Sequence, residues 1–107
     1  MKYMIKFSKY ALLDLDHVWD DVLAVSGNSA IAYKYIDDLL SQIEKKKDFP
    51  MSGSPLYYED MFTGYHYFAF KAYLVFYRID SETMLIDRVL CSRSDYLRVL
   101  GFGEDKE

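Results

Sequence analysis

Apolar positions along this chain first alternate, then recur with a helical period, then alternate again. Residues 3–7 alternate loosely and stop at Ser8, which predicts a short strand. Ser8 is a suitable N-cap for a helix over 9 to about 26. Leu12, Leu15, Val18, Trp19 and Val22 follow a helical period and are expected to face the core. Asp14, Asp16, His17, Asp20 and Asp21 are expected largely on the other side. Gly27-Asn28 interrupts the pattern, and Asn28 or Ser29 can cap a second helix running to about 47. Its apolar stripe is Ala32, Ile36, Leu39, Leu40 and Ile43. Lys45, Lys46 and Lys47 fall at its C-terminus, where the helix dipole favours cations. Two helices joined by so short a break predict an antiparallel helical hairpin.

Residues 48–55 hold both prolines, Gly53, Ser52 and Ser54, and read as a loop. Beyond them the period is two, with strands expected at 65–71, 73–79 and 85–91. Lys71-Ala72 and 80–83 supply the turns. The run 73–77 is apolar on both sides, which marks a central strand covered on both faces. The helical hairpin can cover one face, and the other needs a further segment of this chain or a partner. Residues 94–100 predict a short final helix with Tyr96, Leu97 and Leu100 inward, and the tail after Gly101 reads as frayed. The fold class is therefore α+β: an N-terminal strand, an antiparallel helical hairpin, then a three-stranded antiparallel meander with a short C-terminal helix. The first strand joins the meander to bury its apolar side. The whole chain, 1–107, is expected to form one domain.

Composition sharpens this picture. A hydrophobic fraction of 51% excludes a disordered chain. Eleven Tyr and seven Phe are more aromatic surface than a core of this size needs. Either the sheet is Tyr-rich, or an aromatic face waits for a partner. Cys91 is the single cysteine, so no internal disulfide forms, and with only His17 and His66 beside it a zinc site is implausible. No metal or small-molecule cofactor is expected. No apolar run reaches membrane-spanning length and no secretory signal is visible, which predicts a soluble, cytoplasmic protein without a membrane partner. The net charge of −4 argues against a general nucleic-acid binder. All four arginines, Arg78, Arg88, Arg93 and Arg98, lie in the last third, opposite an aspartate-rich first helix.

Three stretches carry a resemblance. They are Phe49-Pro50-Met51-Ser52-Gly53-Ser54-Pro55-Leu56, then Tyr73-Leu74-Val75-Phe76-Tyr77-Arg78-Ile79, then Asp87-Arg88-Val89-Leu90-Cys91-Ser92-Arg93-Ser94-Asp95-Tyr96. In this order the chain resembles the RelE/ParE toxin superfamily. The second stretch looks like that family's central strand ending in Tyr-Arg. The third looks like its last strand, commonly Arg-Val-Leu-His-Gly-Arg-Arg-Asp in the ParE branch. The resemblance implies the toxin of a bacterial type II toxin–antitoxin system, of the kind that stabilises plasmids and arrests growth. It also implies a cognate antitoxin that wraps the helices and lies across or beside the sheet.

The superfamily divides by target. RelE-like members cleave mRNA on the ribosome, which requires a base, an acid and cations for the phosphate. ParE-like members poison DNA gyrase by binding it. Here Phe68 and Ala69 stand where RelE-like members place a strand arginine, and Cys91-Ser92 stands where some nucleases have His-Tyr. Arg93 matches the arginine after the last strand, Tyr96 can stand in for a C-terminal tyrosine, and His66 is a candidate base. So incomplete a set on an acidic chain favours the ParE-like, non-enzymatic branch. The alternatives are an endoribonuclease using Arg93, Tyr96 and His66, and an inactive homologue that only binds antitoxin. Target or antitoxin contacts are expected from Arg78, Arg88, Arg93, Arg98, Tyr65 and Tyr67. Each has a plainer role in competition: Arg78 can pair with Asp80 or Asp87, Arg88 can be structural, His66 can be an ordinary strand histidine, and the tyrosines can simply pack.

Overall fold

The structure, a computed structural model, describes residues 3–103. The chain runs β1 (Met4–Phe7), α1 (Lys9–Ser26), α2 (Ser29–Lys46), a 3-10 turn (Pro50–Ser52), β2 (Ser54–Tyr58), β3 (Met61–Phe70), β4 (Tyr73–Asp80), β5 (Thr83–Cys91) and α3 (Tyr96–Val99). Among the described residues no helix is long and apolar enough to cross a membrane. The part of the tail at 104–107 lies outside the described residues.

Both long helices begin where side chains can take up their free amides. Ser8 is extended (ψ 161°), and its hydroxyl accepts from the Ala11 amide at 3.0 Å. Asn28 Oδ1 accepts from the Ala30 and Ile31 amides. Such caps contribute about 1 kcal/mol each. Gly27 ends α1 in the left-handed region (φ 65°), with its amide donating to the Leu23 carbonyl at 2.8 Å. A Cβ there would carry the steric cost of that conformation, and glycine avoids it. The helices then lie antiparallel, with Trp19 edge-on to Tyr33 at 4.7 Å.

The buried line of α1 is Ala11, Asp14 and Val18, with Leu15 and Val22 packed beside it. Two expectations are corrected here. Leu12 is 52% exposed, because one residue past Ala11 is roughly a quarter turn off the inward direction. Asp14, expected in solvent, is 5% exposed, since it lies one turn from both Ala11 and Val18. In α2 the buried line is Ala32, Leu39 and Ile43, and Leu40 turns out to be 37% exposed for the same angular reason.

The sheet has five strands in the order β1-β5-β4-β3-β2. The expected meander of three strands has a fourth, β2, which begins in the stretch read as a loop and runs on to Tyr58. Pro55 masked it, yet proline is tolerated on an edge strand, where its missing N–H costs no ladder bond. Strand β1 joins the far edge, parallel to β5, with Met4 opposite Thr83 and Phe7 opposite Ile86. The antiparallel expectation thus holds for β2 to β5, while β1 adds one parallel pair.

Strand β4 is central and covered on both sides, as its composition requires. On the helical face Val75, Tyr77, Met84 and Ile86 pack with Val18, Leu39 and Ile43. On the other face Phe76, Leu90 and Leu56 pack under Tyr67, Tyr96, Leu97 and Leu100. The second cover is thus the C-terminal segment of this chain, and Phe102 extends it by packing against Tyr58 and Tyr65. Gly53 secures the loop before β2. The buried Tyr77 hydroxyl donates to the Pro50 carbonyl at 2.6 Å, and a Cβ on residue 53 would lie 2.1 Å from the Tyr77 hydroxyl oxygen.

Candidate functional site

The feature that organises the site is an irregularity in β5. Arg88 pairs with Phe76 and Ile86 with Tyr77, so Asp87 faces no residue of β4 and forms a bulge. The bulge falls where β1 has just ended. The Ser8 amide donates to the Ile86 carbonyl at 2.9 Å, and beyond that point β5 has no strand on this side. Side chains from the start of α1 replace it. The Ser8 hydroxyl donates to the Asp87 carbonyl at 2.7 Å, and Asp14 Oδ2 accepts from the Val89 amide at 2.9 Å. Buried backbone groups require partners, which explains a carboxylate on the inner face of a helix.

Two arginine–carboxylate pairs flank the bulge. Arg88 Nε and Nη2 donate to the two oxygens of Asp14 at 2.8 and 2.9 Å, a bidentate pair. That contact pushes the arginine pKa further up. The Arg88 guanidinium also lies 5.7 Å from the Tyr10 ring centre. On the other side of the bulge, Asp87 Oδ2 accepts from the Tyr65 hydroxyl at 2.7 Å and pairs with Arg78 at 3.2 Å. The Arg78 guanidinium sits 5.4 Å over the Tyr65 ring. Burial, and then the Asp87 hydrogen bond, push the Tyr65 phenol up to about 12, so it stays a donor. An open cleft of about 260 Å³ lies here, lined by Tyr10, Tyr65, Asp87, Arg88, Val99 and Leu100.

Chemically, the cluster holds two cations and two anions, each cation engaged by an anion. It can lock strand geometry and offer a polar, aromatic recess. It is poorly suited to gather phosphate, because each guanidinium already has a carboxylate.

The other candidates are dispersed. His66 is 7% exposed and faces the helical side, stacked on Tyr77 at 5.7 Å and edge-on to Phe62 at 5.4 Å. Among the described residues its Nδ1 has no hydrogen-bond partner, and burial lowers its pKa. Tyr96 packs on Phe76, across the sheet from His66. Arg93 is exposed in the turn after β5 and makes no hydrogen bond or ion pair among the described residues. Arg98 pairs with Asp95 at 3.3 Å with both side chains about 70% exposed, an arrangement worth little. Tyr67 packs on Phe76. The structure therefore brings Arg78, Arg88 and Tyr65 together, and leaves His66, Tyr96 and Arg93 apart. Sequence reasoning missed Ser8, Tyr10 and Asp14 as members. The available signal was the position of Asp14 on the line joining Ala11 and Val18. Among the described residues no group of His, Cys, Asp or Glu could hold a metal.

A helical hairpin across one face of an antiparallel meander, with the first strand at its far edge, is the fold of the RelE/ParE toxins. The structure is similar to that of the "Chromosomal ParDE TA system from P. aeruginosa", with a TM-score of 0.71 and 18% identity over 84% of this chain and 96% of that one. It is similar also to a chain of the toxin–antitoxin complex RelBE2 from Mycobacterium tuberculosis, with a TM-score of 0.54 and 24% identity over 85% of this chain and 99% of that one. At these identities the likeness shows the fold alone. No curated protein matches the chain in sequence. The family described as "ParE toxin of type II toxin-antitoxin system, parDE" matches residues 5–96. The chain belongs to that family and is a type II toxin–antitoxin toxin.

Proposed function

We propose that the protein arrests growth by binding rather than by cutting RNA, as a ParE-like poison of DNA gyrase. The observation that carries this reading is the engagement of the sheet arginines: Arg88 by Asp14, and Arg78 by Asp87 and Tyr65. Ribonucleolysis needs free cations beside a base and an acid. Here the candidate base His66 and the candidate acid Tyr96 lie on opposite faces of the sheet. One observation favours the alternative of a ribosome-dependent endoribonuclease: Arg93 is exposed and without an ion pair among the described residues, so it is available to a phosphate.

A cognate antitoxin would hold the toxin inactive. Leu12 (52% exposed) stands seven residues from Trp19, and Leu40 (37%) seven from Tyr33 (66%), so helical spacing lines them up with the Trp19–Tyr33 contact as an apolar seam of the hairpin. An amphipathic partner segment suits such a seam.

Induction in bacterial cells, scoring mRNA cleavage on translating ribosomes and DNA double-strand breaks with an SOS response, tests the reading. Broken DNA with intact mRNA is expected. Cleaved codons with intact DNA would establish the nuclease instead, and unimpaired growth would mark a homologue that only binds antitoxin.

A further inference from the structure

The β2–β3 hairpin carries surface that neither the core nor the arginine cluster uses. Strand β3 pairs with β4 only from His66 onward, so Met61 and Phe62 pair with β2 alone. Gly64 (φ 93°) lies just before that point, with nothing within 4 Å of where its Cβ would be. The hairpin thus continues past the sheet as a two-stranded ribbon. Its end is apolar: Tyr57 is 56% exposed, Met61 71% and Phe62 49%. A groove of about 290 Å³ runs there, lined by Tyr58, Glu59, Met61, Phe62, Thr63 and Phe102.

The hairpin's own charge has one sign, and Arg78, which approaches it beside Thr63 and over Tyr65, is already paired with Asp87. Glu59 and Asp60 form the turn, and residues 48–70 contain no Lys or Arg at all. His66, the sole histidine of that stretch, is buried. Nucleic acid and anionic membranes are repelled by such a rim, while a cationic segment is attracted. An exposed Met and Phe beside carboxylates matches the apolar centre and charged edge of a protein interface.

We infer that the tip of the β2–β3 hairpin is a docking site for a protein segment that places a large apolar side chain in the groove and Lys or Arg against Glu59 and Asp60. The site is separate from the helical seam and does not depend on which target the toxin has.

The test uses the full chain labelled with ¹³C at the methionine methyls, titrated with a short peptide alternating Leu and Lys. The Met61 methyl shifts saturably, while Met84 (0% exposed, in the core) and Met4 (62% exposed, on the opposite edge) stay in place. The double change Glu59→Gln with Asp60→Asn weakens the peptide about fivefold, from the loss of two exposed charge contacts. Changing Asp16→Asn with Asp20→Asn, exposed carboxylates on α1, leaves it unchanged. An unmoved Met84 methyl certifies that each variant is folded. The proposal fails if a Leu–Glu peptide binds equally well, if Met4 shifts as much as Met61, or if the two acid pairs matter equally. It fails also if an oligothymidine moves Met61, or if Met61 shifts with protein concentration alone, since a second copy would then be the occupant.

Discussion

Replacing Asp14 by Asn tests the clamp at the β5 bulge most directly. The carboxylate is 5% exposed and accepts three hydrogen bonds, two from Arg88 and one from the Val89 amide. An amide keeps one acceptor oxygen but turns an NH2 group toward a guanidinium that can only donate. Breaking a buried ion pair costs about 3–5 kcal/mol. The Arg88 side chain is 25% exposed and can recover part of its hydration, which brings the expectation down to about 2–3 kcal/mol. For a domain whose total stability is about 5–15 kcal/mol, that is a large share. Urea unfolding followed by far-UV circular dichroism reads it as a lower midpoint at unchanged slope. The double variant Asp14→Leu, Arg88→Met should recover more than half, because no charge is left unpaired. It should not recover everything, because the Val89 amide still lacks an acceptor. If Asp14→Asn costs less than about 0.5 kcal/mol, or its effect simply adds to that of Arg88→Met, the clamp is wrongly understood.

Gly53→Ala places a methyl 2.1 Å from the Tyr77 hydroxyl and is expected to destabilise by about 1–3 kcal/mol, with Tyr77→Phe relieving part of the loss in a thermal melt. His66 has a lowered pKa in the folded chain, so the unfolded chain binds the extra proton first; stability is full above the ordinary histidine pKa and falls as pH drops below it. The pH dependence of the urea midpoint checks this, and His66→Phe should flatten that acidic limb. Arg93→Ala should change stability by less than about 0.5 kcal/mol, because the side chain is exposed. If Arg93 meets the target, growth arrest on induction weakens while the melt is unchanged.

Much of the fold was written in local chemistry. Ser8 and Asn28 name their helices, the break at Gly27 names the hairpin, and the apolar run at 73–77 names a central strand. What stayed hidden depends on distant partners. Pro55 reads as a loop until an edge position excuses it. Whether β1 lies parallel to β5 is decided by where the chain returns after two helices, and no local period encodes that. The site was half legible: a carboxylate partner for Arg78 was expected at Asp80 or Asp87 and is Asp87, whereas Asp14 looked solvated because carboxylates usually are. Its role required knowing that a strand 75 residues later would present an amide with no partner.

That long span bears on how the chain is made. The first strand and the first helix are both finished by β5, through Ser8 to Asp87 across 79 residues and Asp14 to Val89 across 75. A nascent chain emerging at about 5–20 residues per second carries its N-terminal third for seconds before β5 exists to receive it. A ribosome that stalls before residue 83 leaves β1 with no neighbour and Asp14 with neither of its donors. A chain of this design acquires its native architecture only after β5 has been made, and fragments that end before it are material for proteolysis.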